Sequence, residues 1–221
     1  MAFPFLWNWF DPMVSRRRPT RRGGVMRVLV ACEFSGTVRD AFTAVGADAW
    51  SCDLLPTEAP GQHIRGDVVR ILDEGWDLMV AHPPCTYLAN SGVSWLHTRP
   101  CRWEALDEAA RFFRALLDAP IPHIAIENPI PHKYAIERIG SRPDHRIQPW
   151  EFGHPETKAT CLWLRGLPPL LPTDPVTGRR PRSHWLSPGP DRWKERSRTL
   201  PNIAAAMAAQ WFDFTIHRLR A

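Results

Sequence analysis

The sequence predicts an α/β fold built on a doubly wound, mainly parallel sheet. Three observations predict it. Between Met26 and Pro129, short apolar runs that read as strands alternate with stretches whose apolar residues recur at helical spacing. Each helical stretch ends at a glycine or proline, the residues that most readily stop a helix. Polar residues able to do chemistry follow the strands directly, where an open parallel sheet collects its ligands. A chain of 221 residues, 44 % hydrophobic, suits one such domain with a real core; two would be a tight fit.

The elements follow in order. "RVLVAC" is the first strand, and "GTVRDAFTAVG" is a helix stopped at Gly46. "DAWSCDLL" is a second strand, and "DVVRILDEG" a short helix ending at Gly75. "WDLMVAH" is a third strand that halts at Pro83 and Pro84. "RWEALDEAARFFRALLDAP" is the strongest amphipathic helix, and "HIAIENP" a fourth strand. Beyond Pro129 the periods weaken. "PWEFGHPETKATCLWLRGLPPL" predicts a strand pair turning near Pro155. Residues 171–200, rich in Pro, Gly and Arg, read as an extended basic loop with no core of its own. "NIAAAMAAQWFDFTIHRL" closes the chain as a helix that Asn202 is suited to cap.

Residues 1–25 carry no helical or strand period. They read as a disordered basic extension to a single domain of residues 26–221, with Met26 a candidate initiator. The formal net charge is +5, and "SRRRPTRR" alone supplies five arginines. A basic balance favours a polyanionic partner such as nucleic acid. The five cysteines include no C-x-x-C pair, and their number is odd. That argues against a disulfide framework or a zinc cluster, and for a reducing, cytoplasmic setting. No apolar run is long enough to span a membrane, and the apolar-then-basic order of the N-terminus reverses that of a secretory signal. A monomer is expected.

The candidate site residues stand at the strand ends. Glu33, Phe34, Ser35 and Gly36 follow the first strand, Asp53 ends the second, and Asp67 lies in "GDV". Gly36, just before a helix, would let a ligand approach the backbone. Asp53 lies about 20 residues beyond the first loop, the offset at which dinucleotide-binding folds set an acid against ribose hydroxyls. The G-x-G-x-x-G fingerprint is absent, so a nucleoside cofactor without a pyrophosphate fits better than a dinucleotide. Cys85 sits just past the third strand, behind two prolines that fix the backbone and hold the thiol rigidly at the rim. Only the thiolate is a strong nucleophile; a free thiol titrates near ~8.5, and Arg99 or Lys158 is a candidate cation to lower it. Burial beside apolar groups is expected to raise the pKa of Glu127, so that it donates a proton near neutral pH. The structural alternative is that Glu127 only caps the segment that follows it.

In sequence order, "EFSG", Asp53, "GDV", "HPPC" and "ENP" resemble motifs I, II, III, IV and VI of the DNA cytosine carbon-5 methyltransferases. With "WDLMVAHPPCTYLANSG", "IAIENPIPHK" and "RSRTLPNIAAAMAAQW", the chain from Met26 to Trp211 looks most like a compact phage and prophage family described as DNA cytosine methyltransferases. The resemblance implies a class I S-adenosylmethionine-dependent (Rossmann-like) methyltransferase fold. It also implies covalent chemistry, in which the Cys85 thiolate adds to carbon 6 of cytosine while Glu127 protonates or hydrogen-bonds ring nitrogen 3. Carbon 5 then takes the methyl group; in duplex DNA the base must first be flipped out. It implies Glu33, Phe34, Ser35 and Gly36 around the methionine part of the cofactor, Asp53 on the ribose and Asp67 on the adenine amine. Pro83 and Asn202 would complete the cofactor site, and Asn128 would face the substrate.

The sequence also departs from the larger enzymes. Thr86 follows Cys85 where P-C-Q is usual, His82 precedes the prolines, and "EFSG" is poor in glycine. Lys158 is the one obvious stand-in for the basic residues of their eighth motif, and Asn202 for the Gly-Asn pair of their tenth. Their large target-recognition segment is reduced here to residues 171–200. That segment carries Arg179, Arg180, Arg182, Arg192, Lys194, Arg196 and Arg198, with Trp185 and Trp193 interleaved. Such a composition suits tracking a phosphate backbone and stacking a base. DNA, double- or single-stranded, is the implied partner, and the reading calls for no metal. Two alternatives stand beside it: the same chemistry on a free pyrimidine nucleotide, motivated by the missing recognition segment, and a nucleic-acid-binding decoy without turnover.

Overall fold

A computed structural model describes residues 24–182, 187 and 189–219. Seven strands form one sheet: β1 (Arg27–Ala31), β2 (Asp48–Asp53), β3 (His63–Arg65), β4 (Leu78–Ala81), β5 (His123–Pro129), β6 (His145–Ile147) and β7 (Thr160–Arg165). Their order is β3-β2-β1-β4-β5-β7-β6. Strands β1 to β5 are parallel, and β7 runs against both of its neighbours. This is the mainly parallel, Rossmann-like α/β sheet expected.

The central strands are apolar on both faces because both faces are covered. Leu29, Ala31, Met79, Ala81, Ile124 and Ile126 pack with Leu106, Phe113 and Leu116 of α3 (Cys101–Leu117) and with Ala135 and Ile139 of α4 (Lys133–Ile139). Val28, Val30, Leu78, Val80 and Ala125 pack on the opposite face with Val38 and Phe42 of α1 (Thr37–Ala44) and with Ile203, Met207 and Trp211 of α6 (Pro201–Leu219). The split follows the period of two along each strand. Two short helices lie outside these layers: α2 (Ser94–Thr98) in the connection after β4, and α5 (Arg192–Ser197) in the segment between β7 and α6.

Several expectations need correcting. "DVVRILDEG" forms only a 3-10 turn over Val68–Ile71, started by the Asp67 carboxylate, which accepts from the Val69 amide at 3.1 Å. The predicted strand pair exists, but its first member is β6, upstream of Pro149. Proline has no amide hydrogen for a ladder, and Pro149 instead opens a 3-10 turn, Pro149–Glu151. The segment 171–200 is not all loop, since it contains α5. Asn202 does not cap α6: Pro201 takes the first helical position, and Asn202 lies inside the first turn, donating to the Phe152 carbonyl at 2.9 Å. Strand β3 and helices α2 and α4 are too short to leave a clear period in sequence. The predicted extension falls almost wholly outside the described residues, as does Trp185; Met26 itself is buried. No described helix is long and apolar enough to cross a membrane.

Phe113 is fully buried and meets Trp163 edge to face, with ring centroids 4.8 Å apart. Phe113→Ala is expected to cost about 3–5 kcal/mol through lost burial and the cavity left behind, read as a lower urea midpoint with an unchanged slope.

Candidate active site

The parallel register of β4 and β5 ends with Ala81 opposite Ile126, which brings the residues just beyond into contact. His82 Nδ1 lies 3.0 Å from Glu127 Oε2, and Asn128 Nδ2 donates to the Pro83 carbonyl at 3.0 Å. These two bonds fasten the His-Pro-Pro-Cys segment to the end of β5. Cys85 then starts a turn, its carbonyl accepting from the amides of Leu88 and Ala89 at 3.0 and 2.9 Å. Arg102 holds the far side: its guanidinium donates to the Thr86 carbonyl at 3.1 Å and stacks over Tyr87. The half-buried thiol is therefore presented on a pinned backbone.

The electrostatics around the thiol differ from expectation in two ways. Burial pushes the Cys85 thiol up, and the Glu127 carboxylate pushes it further; Arg196 and Lys158 offset part of the rise. Arg99 is not among these cations and lies over the Trp95 ring, 4.5 Å from its centroid. Burial likewise raises Glu127, but the hydrogen bond and charge of His82, then Lys158 and the Thr160 hydroxyl, outweigh it. The Glu127 carboxyl thus lies below its usual range, not above it. Sequence showed the apolar neighbours of Glu127 but not the imidazole and ammonium that surround it in space.

Two narrow cavities open beside this pair. One is lined by Glu127, Lys158, Thr160, Thr199, Ile203 and Met207. The other is lined by Cys32, Glu33, Phe34, Ser35 and His82 and by residues 197–199. Thr199 belongs to both. Cys85 lines neither; it shares its charged neighbours, Glu127 and Lys158, with the first.

Glu33 is buried and serves the fold as well as the second cavity. Its carboxylate accepts from the Val38 and Arg39 amides at 2.7 and 3.2 Å and so neutralises the N-terminus of α1. Ser35 joins this cluster through its hydroxyl, 3.2 Å from Glu33 Oε1. Gly36 has φ 78°, and the space a side chain would fill is taken by the Arg39 guanidinium. The close approach at Gly36 in this structure is that of the Arg39 side chain. Arg39 itself is buried, donating to Pro60 at 2.9 Å, so the loop after β2 folds back over the start of α1. Asp53 accepts from the Leu55 amide at 2.9 Å, and burial raises its pKa. Asp67 holds its own 3-10 turn. Asn202 points to Phe152 and lines neither cavity.

The basic segment divides in two. Arg179 stacks over Trp150 at 3.9 Å and donates to nearby carbonyls, while Arg180 pairs through its backbone with Pro155 and Thr157, and the Arg182 amide donates to the Arg180 carbonyl. This half lies against the β6–β7 connection. The other half closes over the cavities. Lys158 Nζ donates to the carbonyls of Arg196 and Arg198 at 2.8 and 3.3 Å, Arg198 pairs with Glu58 at 2.6 Å, and Trp193 meets Phe34 with ring centroids 6.0 Å apart. Lys158 is thus a brace for the segment after α5. Glu58 and Thr199 carry no motif and escaped sequence reasoning.

No family model matches the chain, and no curated protein does. Among solved structures it is similar to a protein described as a DNA modification methyltransferase encoded within an E. coli prophage. The identity is 13 % and the TM-score 0.44, over 69 % of this chain and 53 % of that one. The alignment therefore spans about half of that protein's length.

Removing a neighbouring negative charge favours a thiolate, and removing a positive one disfavours it. Glu127→Gln is expected to move the pH midpoint of Cys85 alkylation down. Lys158→Met should move it up, because it removes one cation and releases the segment that holds another. Iodoacetamide labelling at Cys85, followed by peptide mass against pH, checks both.

Proposed function

We propose that the protein is an S-adenosylmethionine-dependent DNA methyltransferase that modifies carbon 5 of cytosine through a covalent bond to Cys85. One observation carries this reading: the Cys85 thiol and the Glu127 carboxylate sit within electrostatic reach of each other at adjacent strand ends. The motif order from "EFSG" to "ENP" supports it. So does the strand order 3-2-1-4-5-7-6 with a reversed seventh strand, the arrangement of class I methyltransferases.

The residues at the end of β1 fit such a cofactor better than a dinucleotide. Glu33 already occupies the helix N-terminus where a pyrophosphate would bind. Phe34 offers an apolar wall, and Asp53 is a half-buried acid suited to ribose hydroxyls. Phe34, Ser35 and Asp53 would hold the cofactor, and the bound cofactor supplies an electrophilic methyl group.

On the protein side, Cys85 attacks carbon 6 of the pyrimidine as thiolate. Negative charge moves toward ring nitrogen 3, where Glu127 manages it, and carbon 5 becomes nucleophilic. After methylation the carbon-5 proton leaves to solvent, the carbon–sulfur bond breaks and the thiolate is regenerated. The raised thiol pKa means that only a small fraction is thiolate at neutral pH in the free protein, and Arg196 and Lys158 oppose that rise. The basic residues of the segment 179–198 would hold the phosphate backbone, which motivates DNA over a free nucleotide.

The test is incubation with labelled cofactor and DNA containing 5-fluorocytosine. Fluorine blocks the final elimination, so a denaturation-resistant protein–DNA adduct through Cys85 is expected. On ordinary cytosine DNA, Cys85→Ser should bring methyl transfer below about a thousandth of the parent rate. Transfer to duplex should weaken steeply as salt rises. Full transfer by Cys85→Ser would point to an amino-methyltransferase, and transfer to free nucleotide without salt dependence would point away from DNA. Absence of cofactor binding with retained DNA binding would mark a decoy.

A further inference from the structure

The lowered Glu127 raises a chemical difficulty. A carboxylate held ionised has no proton to give, yet ring nitrogen 3 must gain one when sulfur adds to carbon 6. His82 lies behind it. The side chain of His82 is 8 % exposed, and its Nδ1 is 3.0 Å from Glu127 Oε2. An ionised carboxylate only accepts, so Nδ1 carries the hydrogen of this bond. Its other ring nitrogen, Nε2, is buried without a hydrogen-bond partner among the described residues. His82 also lines the cavity at the end of β1, while Glu127 lines the one beside β7, so the imidazole bridges the two.

We propose that His82 is a positioning residue that stores the proton Glu127 delivers: its Nδ1 hydrogen passes to Glu127 as Glu127 protonates ring nitrogen 3. The inference rests on the covalent reading above. In this step the sulfur–carbon 6 bond and the nitrogen 3–hydrogen bond form and the Nδ1–hydrogen bond breaks. An imidazolium becomes a neutral imidazole, the thiolate becomes a thioether, and Glu127 remains a carboxylate. On elimination the nitrogen 3 proton returns through Glu127 to His82.

The charged and titratable groups facing this pair are few. Glu33 and Cys32 come from the end of β1, Cys85 from the turn after β4, Lys158 and Thr160 from the start of β7, and Arg198 from the segment after α5. Glu33 is occupied by the α1 amides, Lys158 by two carbonyls and Arg198 by Glu58. Among them the imidazole of His82 is the group hydrogen-bonded to Glu127.

The test compares the full-length protein with His82→Gln and His82→Ala in adduct formation on 5-fluorocytosine DNA, over pH 5.5 to 9. Gln can still donate a hydrogen bond to Glu127 but cannot release a proton. The expected result is a drop of about a hundredfold in adduct rate for both variants, with loss of any fall in rate at high pH that the parent shows, while the rise that follows Cys85 ionisation is kept. Cys85 alkylation should stay within about twofold of the parent, showing that the thiol's setting is intact. Recovery of the parent rate and pH profile by Gln would reduce His82 to a structural hydrogen bond and overturn the proposal. Equal rates for all three proteins would overturn it as well. If the parent itself forms no adduct, the covalent reading has failed and this inference falls with it; a parent that reacts while the variants match it sinks the inference alone.

Discussion

The in-register pairing of β4 with β5 is the constraint on which the site depends. Both strands are buried on both faces, so a slip of one residue would turn every core side chain to the wrong layer. The same register that satisfies the core sets His82 beside Glu127 and Pro83 beside Asn128. Two prolines then carry the chain to Cys85 with little conformational freedom. The position of the thiol relative to the carboxylate is therefore fixed by the core of the sheet, not by the loop alone.

Charge around the thiol is balanced between elements distant in sequence. Glu127 opposes the thiolate; Arg196 and Lys158 favour it. Lys158 acts in two ways, as a charge and as the brace that holds the carbonyls at the end of α5. The short basic segment thus does more than decorate the surface. Its second half walls the cavities, and its first half lies along the β6–β7 connection. The segment is part of the wall of the cavities, which ties the cleft geometry to the basic residues it carries.

Strands β1, β2, β4, β5 and β7 and the long helices were largely legible because alternation and helical spacing are local signals. β3, α2 and α4 were not, since three to seven residues hold too little period to register. Among the site residues, Cys85, Glu127, Phe34 and Ser35 are found where the strand ends predicted. Gly36 and Asn202 have other partners: the side-chain space at Gly36 is filled by Arg39, and Asn202 bonds to Phe152. Asn202 and Phe152 are 50 residues apart, and the Arg39 guanidinium reaches the Gly36 position while bonded to the loop after β2; no composition argument carries either contact.

The sequence by itself determined which residues end the strands, because a buried strand must be apolar and its polar successors stand out against it. It also determined that a rigid thiol and an acid would emerge at the same edge of the sheet. Only the tertiary structure decided the direction in which that acid's pKa moves and the contacts of Lys158. Those depend on partners such as His82 and the Arg196 carbonyl, brought within bonding distance by strand pairing and by a closing segment, and the energy of a charge is set by what lies within a few ångströms in space.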